Sequence, residues 1–375
     1  MIECSFLFDR LKQSGIDFFA GVPDSLLKNF CSYITDHTDS QNHIIAANEG
    51  GAIALACGHY LATRRYGLVY MQNSGQGNAA NPLVSLADPD VYSIPMLLLI
   101  GWRGQPGIKD EPQHIKQGKI TLSFLETLNI PYKLLPETEQ DAGQVIDEII
   151  SIMKSSEAPV ALVAVKNTFS PYQSKKNIPC KYKLEREAAI KIIADAIEPS
   201  DIIVSTTGKT SRELYEYRDV SGDNHSRDFL TVGSMGHASQ IALGIAVEKK
   251  DRQVFILDGD GAAIMHMGSF AITGSKKPGN LKHIILNNGC HDSVGGQHTA
   301  GFDIKFTKIA KACGYKIVQQ ADKSEDIIKK IKILRASEGP GLLEIRVNKG
   351  ARDDLGRPKI PPKENKNNFM EFLSN

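Results

Sequence analysis

Short apolar runs of strand length alternate with helical patterns along most of this chain of 375 residues, and this alternation limits its fold more than any other feature. Strands separated by helices form parallel sheets that are covered by helices on both faces. We therefore predict an α/β fold in which ligands bind at the carboxyl ends of the strands. The predicted strands lie at 17–20, 43–46, 67–71, 95–100, 159–165, 201–204, 253–257, 282–286, 317–318 and 342–347. The predicted helices lie at 3–13, 25–35, 50–64, 143–154, 184–197, 262–273, 305–312 and 325–335, with further helices starting near 77 and 238 and a short one near 369–373.

The length of the chain and one break in its pattern indicate two domains. A chain of this length exceeds one ordinary domain, and the stretch 167–183 carries prolines and charges without periodicity. We predict a first domain over 1–166, a linker over 167–183 and a second domain over 184–375 that ends in a polar tail. The two alternating halves suggest a duplicated architecture, although their residues show no clear repeat.

Composition argues against several classes of protein. The net charge of +1 gives no electrostatic footprint for nucleic acid. No apolar run approaches the roughly 18 residues of a membrane span, and the start of the chain lacks the apolar core of a signal peptide. The six cysteines have no C-x-x-C spacing, which argues against a zinc site or a disulfide framework. We predict a cytoplasmic protein without nucleic-acid or membrane partners.

Two polar loops in the second half each follow an apolar strand. Gly259, Asp260 and Gly261 come after the strand 253–257, and Asn288 comes after the strand 282–286. Glycines at a helix N-terminus let backbone N–H groups approach a phosphate closely. Carboxylate, amide and backbone carbonyl oxygens suit Mg²⁺, so we predict a metal site made by Asp260, Asn288 and the carbonyl of Cys290. Either loop alone is usually a plain turn, but the pair favours a phosphate and metal site.

Three loops in the first half carry unusual polar residues at strand ends. Asp24 and Ser25 follow the first strand, where capping of the next helix is the ordinary explanation. Glu49 opens a very apolar helix, where burial would favour a carboxyl that keeps a proton. The turn that contains Ser74 has glycines and amides suited to a close ligand approach, as many polar turns do.

These loops occur in the order expected of the thiamine-diphosphate-dependent decarboxylases, which the chain resembles over nearly its whole length. The resemblance rests on residues 21–23, on Glu49, on the turn that contains Ser74, and on the pair of loops at 259–261 and 287–288. Four segments, at residues 22–25, 70–75, 100–104 and 110–114, carry a more specific resemblance. They are similar to the members that act on 2-oxo acids ending in a phosphonate, which have close relatives that act on sulfonates.

The resemblance implies bound thiamine diphosphate and Mg²⁺, a pyrimidine-binding first domain and a diphosphate-binding second domain. Larger members have a middle domain, and this chain has only a linker there. In such enzymes the first domain of one subunit and the second domain of its partner share a site, so the resemblance implies a homo-oligomer of at least two chains. The implied cofactor-binding residues are Glu49, Ser74, Gly208, Lys209, Gly233, Met235, Gly259, Asp260, Gly261, Ala262 and Asn288.

Some of these residues have implied individual roles. Glu49 would share a proton with N1′ of the pyrimidine. Met235, which would otherwise be ordinary core filling, would wedge beneath the cofactor, and the carbonyl of Gly233 would accept from its 4′-amino group. Asp24, His114 and Asp292 are candidates for proton transfer, since they are titratable side chains near the expected site.

The substrate site is predicted in the stretch 101–118, which is polar and loop-like. Arg103 and Lys109 suit a doubly charged phosphonate, with Ser25 and His114 as further contacts. The alternative is a solvated excursion without a function. The stretch 290–298 is similarly open to two interpretations, a mobile lid or an exposed turn, and we favour the lid.

Two other functions have to be weighed. One is a different reaction within the same family, the decarboxylation of a sulfonated 2-oxo acid or an acetolactate-forming carboligation. The other is a nucleotide-binding ATPase built around Gly208, Lys209 and Thr210. A P-loop requires a glycine five positions before Gly208, and this chain has Ile203 there, so the match fails.

Overall fold

A computed structural model describes residues 1–176 and 180–374 of the chain. It contains two compact units, divided after residue 178, and each has a six-stranded parallel sheet. The division falls within the predicted linker 167–183, of which residues 177–179 lie outside the described part. Within the described residues, no helix is long and apolar enough to cross a membrane.

The first unit has strands in the order β2-β1-β3-β4-β6-β5, and each neighbouring pair is parallel. Its strands are β1 (Ile16–Gly21), β2 (His43–Ile45), β3 (Tyr66–Gln72), β4 (Met96–Gly101), β5 (Tyr132–Leu134) and β6 (Val160–Ala164). Its helices are α1 (Cys4–Gln13), α2 (Lys28–His37), α3 (Glu49–Thr63), α4 (Gln76–Pro82), α5 (Pro112–Thr127) and α6 (Glu139–Ser156), with a 3-10 turn at Asn73–Gly75 and a π-helical turn at Leu83–Ala87.

The second unit has strands in the order β11-β12-β10-β9-β7-β8, again all parallel. Its strands are β7 (Ile202–Ser205), β8 (Asp228–Leu230), β9 (Val254–Gly259), β10 (Leu281–Asn287), β11 (Ile317–Ala321) and β12 (Gly341–Arg346). Its helices are α7 (Arg186–Ala196), α8 (Lys209–Ser221), α9 (Ala238–Glu248), α10 (Asp260–Met265), α11 (Gly268–Lys276), α12 (Phe306–Ala312), α13 (Ser324–Ala336) and α14 (Pro362–Ser374), with a 3-10 turn at Ala300–Phe302.

Both sheets bury apolar side chains on their two faces. Along β3, Leu68 and Tyr70 pack into one core cluster while Val69 and Met71 pack into the other. This alternation follows from the two-residue period of a strand. The central strands of the second unit divide their side chains between clusters in the same way. The prediction of two three-layer α/β domains with parallel sheets is therefore confirmed.

The two sheets have the same topology. With the strands of each unit numbered separately from one to six, both sheets have the order 2-1-3-4-6-5. Each strand of the first unit therefore has a counterpart in the second, so that β1 corresponds to β7, β2 to β8, β3 to β9 and β4 to β10. The duplicated architecture holds for the fold even though the sequences of the two halves do not reveal it.

Several predicted elements were wrong or missing. The helix predicted at 262–273 is two helices, α10 and α11, because His266 leaves the helical conformation with ψ of 50°. Part of the predicted loop 101–118 is helical, since α5 begins at Pro112, and the helix predicted at 25–35 begins only at Lys28. The sequence analysis also missed β5, α8 and β8.

The missed helices bury polar side chains, which hides their apolar period. The buried face of α5 includes His114 and Thr121, and that of α8 includes Glu213 and Arg218. A search for apolar residues at helical spacing cannot find such a face. Buried polar side chains occupy positions where the prediction requires apolar residues.

The described part of the predicted linker packs closely on its neighbours. In the first unit, Phe169 stacks on Phe30 with ring centroids 5.3 Å apart, and the backbone N–H of Lys175 donates to Asp36. In the second unit, the hydroxyl of Tyr182 accepts a hydrogen bond of 2.6 Å from Arg346. The stretch is thus bound to the two cores at both of its ends.

Candidate active site

Asp24 lies at the end of β1 and is fully buried. Its Oδ1 accepts a hydrogen bond of 2.6 Å from Nε2 of Gln72, and its Oδ2 accepts one of 2.9 Å from the N–H of Leu26. A side chain on Gly101, at the end of β4, would collide with this carboxylate. Burial raises the pKa of Asp24, although these hydrogen bonds and the charge of Arg103 oppose the change. Asp24 is therefore suited to hold a proton.

Glu49 is the first residue of α3 and is only 6% exposed. Asn48 caps the helix, since its side chain accepts from the N–H of Gly51. Oε2 of Glu49 accepts a hydrogen bond of 2.7 Å from Nδ2 of Asn78. A Cβ on Gly75 would lie 2.5 Å from Oε1 of Glu49, so the carboxyl packs directly over this glycine.

Ser74 lies in the 3-10 turn beside Glu49 and is exposed. Its hydroxyl donates to Oε1 of Gln72 over 2.9 Å, and the amide of Gln72 donates in turn to Asp24. The predicted residues Asp24, Glu49 and Ser74 are therefore brought to one edge of the first sheet. Gln72 connects two of them and was not predicted as a site residue.

Arg103 follows β4 and forms a two-point ion pair with Asp110. Its Nε and Nη2 donate to the two carboxylate oxygens over 2.8 and 2.5 Å, and its Nη1 donates to the hydroxyl of Ser25 over 2.8 Å. Burial acts to raise the pKa of Asp110, but the hydrogen bonds from Arg103 and from backbone N–H groups hold it well below its usual range. The sequence analysis predicted Arg103 and Ser25 together and missed their partner, Asp110.

The remaining predicted substrate residues differ in exposure. His114 is buried on α5, and a Cβ on Gly104 would collide with its backbone. Lys109 is exposed in the loop that precedes the helix. Asn73 fixes the backbone of Arg103. Its Nδ2 donates to the carbonyl of Arg103 over 2.8 Å, and its Oδ1 accepts from the N–H of Arg103 over 3.2 Å. Asn73 was another omission from the sequence analysis.

In the second unit, Asp260 is a buried carboxylate at the N-terminus of α10. Thr299 donates to its Oδ2, and the N–H of Asn288 approaches Oδ1 at 3.4 Å. A Cβ on Gly301 would collide with the carboxylate, so a glycine is required at this point of close approach. Burial raises the pKa of Asp260 to about 6, and the hydrogen bonds from Thr299 and Asn288 oppose the change.

Asn288 follows β10 and lies beside Asp260. Its Oδ1 accepts a hydrogen bond of 3.1 Å from the N–H of Cys290, and its Nδ2 donates to Asp292 over 2.8 Å. No group of three His, Cys, Asp or Glu side chains in the described residues could hold a metal ion. A metal would therefore depend on mixed donors, and a buried carboxylate with a neighbouring asparagine side chain is a donor set that fits Mg²⁺.

The loop between β7 and α8 reaches the same edge of the second sheet. Gly208 precedes α8 with φ of 94°, a backbone conformation that favours glycine, and a Cβ there would lie 2.9 Å from Oγ of Ser293. Lys209 is the first residue of α8 and is half-buried. Ile203, where a P-loop needs glycine, is a buried residue of β7.

Met235 is half-exposed and lies outside the buried apolar cores, so it is not ordinary core filling. Gly233, also half-buried, precedes it in the same turn. A Cβ on Gly236 would lie 3.0 Å from the carbonyl of Ala262, which places this turn against α10. The half-exposed Met235 is thus available to a ligand, and its contact with the cofactor stays a prediction.

The stretch 290–298 is a compact turn in which the N–H of His291 donates to the carbonyl of Gln297 over 2.8 Å. The ring of His291 packs on Gly261, where a Cβ would lie 2.9 Å from Cε1. Burial lowers the pKa of His291 to about 4, so the ring is neutral near pH 7. His291 was not predicted as a site residue, and the lid remains a prediction.

Asp292 has a different environment from the one expected of a proton carrier. It accepts a hydrogen bond of 2.7 Å from Nη1 of Arg186, which is itself buried. Burial acts to raise the pKa of Asp292, but the guanidinium of Arg186 holds it below its usual range. This carboxylate is therefore a poor proton donor, and the arrangement argues against the role predicted from the sequence.

Comparison with known proteins covers both units. Residues 4–123 match the family described as thiamine pyrophosphate enzyme, N-terminal TPP binding domain, and residues 206–345 match its C-terminal TPP binding domain. The whole chain is 33% identical to 94% of a phosphonopyruvate decarboxylase from Streptomyces hygroscopicus and 34% identical to 96% of one from Streptomyces viridochromogenes. It is also 26% identical, over 98% of its length, to 96% of a sulfopyruvate decarboxylase from Methanosarcina acetivorans.

Proposed function

This chain belongs to the thiamine-diphosphate-dependent decarboxylases, and from that premise we propose that its substrate is 3-phosphonopyruvate. The products are phosphonoacetaldehyde and CO₂, and the reaction is a step in phosphonate (2-aminoethylphosphonate) biosynthesis. Similarity over the full length to two relatives that carry this activity in their names supports the choice of substrate.

The observation that carries the proposal is the guanidinium of Arg103, held beside the hydroxyl of Ser25 at the edge of the first sheet. The pair with Asp110 fixes the plane of the guanidinium, and Nη1 points toward Ser25. A fork of N–H donors and a neighbouring hydroxyl suit the oxygens of a phosphonate. The hydrogen bond to Asp110 is the main cause that raises the pKa of Arg103, and the nearby charge of Asp24 adds to it, so a proton donor and an anion contact share one edge of the sheet.

Bound thiamine diphosphate supplies the electron sink that decarboxylation of a 2-oxo acid requires. Glu49 would share a proton with N1′ of the pyrimidine, and Asn78 fixes the Oε2 end of its carboxyl. Asp260 and Asn288, with the carbonyl of Cys290, would hold Mg²⁺ and through it the diphosphate. Asp24, with its raised pKa, holds the proton that the product carbon must receive.

A complete site requires at least two copies of the chain, one giving its first unit and the other its second. Activity should therefore disappear when the enzyme is diluted to monomers, with the oligomeric state followed by sedimentation. A monomer that keeps full activity would contradict the shared site.

The direct test is product analysis with phosphonopyruvate, sulfopyruvate and pyruvate under identical conditions. We expect phosphonoacetaldehyde to form with the highest kcat/KM, and pyruvate to react poorly because it leaves the anion contact unused. Higher kcat/KM with sulfopyruvate would reject the proposed substrate.

Sulfopyruvate is the second candidate, and the pairing of Arg103 with Asp110 favours it. The ion pair has no net charge, so the edge offers less positive potential than an unpaired arginine would. A sulfonate carries one negative charge and a phosphonate up to two, so reduced potential suits the sulfonate better. Two exposed lysines, Lys109 in the loop and Lys116 on α5, restore part of this potential and favour the phosphonate.

A further inference from the structure

The carboxylate of Asp292 accepts hydrogen bonds from four donors in the second unit. Its Oδ2 accepts from Nη1 of Arg186 over 2.7 Å and from Nδ2 of Asn288 over 2.8 Å. Its Oδ1 accepts from Sγ of Cys290 over 3.2 Å, and the N–H of Gly350 donates to both oxygens over 3.1 and 3.0 Å. The carboxylate thus ties the turn after β10 to α7 and to the segment after β12.

Arg186 is held on its other side by Glu213 of α8. Nε and Nη2 of the guanidinium donate to the two oxygens of Glu213 over 2.8 and 2.7 Å. Arg186 is 6% exposed and Glu213 is 1% exposed, so both charges have lost their water. Buried ion pairs add little net stability, because desolvation costs about as much as attraction gains. Such a network is better explained by the geometry it imposes than by the stability it adds.

The geometry imposed on Asn288 has a chemical consequence. A carboxamide has a donor end and an acceptor end, and an ionised carboxylate only accepts. Asp292 therefore fixes Nδ2 toward itself and Oδ1 toward the opposite side, where the N–H of Cys290 donates to it. The oxygen keeps a lone pair for a further partner. The backbone N–H of the same Asn288 lies 3.4 Å from Oδ1 of Asp260, so Asp260 adjoins this turn.

We propose that Asp292, held by Arg186 and Glu213, is a positioning residue that orients the carboxamide of Asn288 so that its oxygen faces the Mg²⁺ of the cofactor. In Asp292→Asn the side chain could donate as well as accept, so the carboxamide of Asn288 would lose one of the two contacts that fix its orientation and would keep only the N–H of Cys290. In the reversed orientation an NH₂ group would face the metal, and NH₂ cannot bind a cation. The inference rests on the family's cofactor and does not depend on which 2-oxo acid is the substrate.

The test measures Mg²⁺ dependence directly. Thiamine diphosphate binding to the metal-free full-length enzyme is followed by calorimetry at a series of Mg²⁺ concentrations, without substrate. Asp292→Asn should raise the Mg²⁺ concentration for half-maximal cofactor binding by about 10-fold or more, the range observed when groups that orient metal ligands are lost. Glu213→Gln, which loosens only the far side of Arg186, should cause a smaller shift in the same direction.

Asp228→Asn is the matched control, since it breaks a buried two-point pair with Arg218 in the same unit. It should lower thermal stability while leaving the Mg²⁺ midpoint within about twofold of the wild type. Equal Mg²⁺ midpoints for wild type and Asp292→Asn would overturn the proposal, and so would an equal shift in Asp228→Asn. If Asp292→Asn does not fold, the Mg²⁺ midpoint of Glu213→Gln is compared with that of Asp228→Asn. A higher midpoint in Glu213→Gln supports the proposal, and equal midpoints overturn it.

Failure of this proposal can be distinguished from failure of the proposed function. An altered substrate preference would appear in the product analysis of the wild-type enzyme and would leave the Mg²⁺ midpoints unchanged. A normal Mg²⁺ midpoint in Asp292→Asn would reject the positioning role whatever the enzyme decarboxylates.

Discussion

The two units have the same strand order but place different chemistry at the ends of corresponding strands. After β3 the first unit has amides and a glycine turn, whereas after its counterpart β9 the second unit has Asp260 at a helix N-terminus. After β4 the first unit has Arg103, and after β10 the second has Asn288. The comparison teaches that topology fixes where a ligand binds, while a few loop residues decide what is bound.

One carboxyl group from each unit, Asp24 and Asp292, shows two opposite environments. In the first, Asp24 is held by an amide and a backbone N–H, and burial raises its pKa. In the second, Asp292 is paired with a buried guanidinium that keeps it charged. The first environment suits proton transfer, and the second suits a fixed charge. The predictions that follow test this division of labour, beginning with the largest effect.

The largest effect is expected from removal of the predicted metal ligand of the second unit. Asp260→Ala should abolish retention of thiamine diphosphate, because it deletes the only carboxylate of the predicted ligand set. Calorimetry should give a loss of at least about 100-fold, since even groups behind a ligand are worth 10- to 100-fold. Cys290→Ala is the control, because its predicted ligand is a backbone carbonyl, and it should keep most of the affinity. Equal losses in the two variants would reject this ligand set.

A change in the first unit should spare binding and affect the proton. Glu49→Gln should bind thiamine diphosphate yet exchange the C2 proton of the cofactor about 10²- to 10⁴-fold more slowly, because an amide cannot relay a proton. The exchange is measured by NMR in D₂O, and calorimetry verifies binding. An exchange rate equal to that of the wild type would remove Glu49 from the mechanism. It would also contradict the assignment of proton transfer to the first unit.

The anion contact of the first unit should affect one substrate more than another. Arg103→Leu should lower kcat/KM for phosphonopyruvate about 10- to 100-fold, since a hydrogen bond to a charged group is worth about 1.5–3 kcal/mol. Turnover of pyruvate should change little, because it has no head group for this contact. Lys109→Leu, in the same loop but exposed, should cost less than about threefold. A parallel loss for both substrates in Arg103→Leu would make that residue structural.

The smallest effect concerns a buried lysine that distinguishes two counterpart strands. All residues of β4 are apolar or glycine, whereas β10 carries Lys282, which is fully buried and donates to the carbonyls of Gly279 and Ser337 over 3.0 and 2.6 Å. Burial lowers the pKa of Lys282 to about 8, below its ordinary value of 10.5. Between these pH values the unfolded chain binds more protons at this position than the folded chain does, so stability rises with pH.

We therefore compare the free energies of unfolding of the wild type and of Lys282→Met. The wild-type value minus the variant value should rise by about 1–3 kcal/mol as pH rises from 8 to 10.5. Chemical denaturation of both proteins at a series of pH values measures the difference, in which the other titrating groups cancel. A constant difference would show that Lys282 titrates normally, and a falling one would reverse the sign of its contribution.

Sequence alone predicted the layers, the two units and most strand ends, because these depend on apolar period and on glycines at loops. Asp24, Glu49, Asp260 and Asn288 could be predicted as site residues because each lies within a few residues of the end of a strand. Their partners could not, since Arg186 and Asp292 are 106 positions apart in sequence and no local pattern connects them. The helices α5 and α8 were missed for the related reason that their buried faces carry polar groups.

Gly75 has a consequence for how sequences of this kind can vary. Its φ of −70° is open to any residue, so only space requires glycine there, and the space is filled by the carboxyl of Glu49. A single methyl at position 75 would displace the acid, whereas a shorter side chain at position 49 would release the constraint. Positions 49 and 75 should therefore change together in lineages where this acid has been lost, and a lineage that keeps glutamate should keep the glycine.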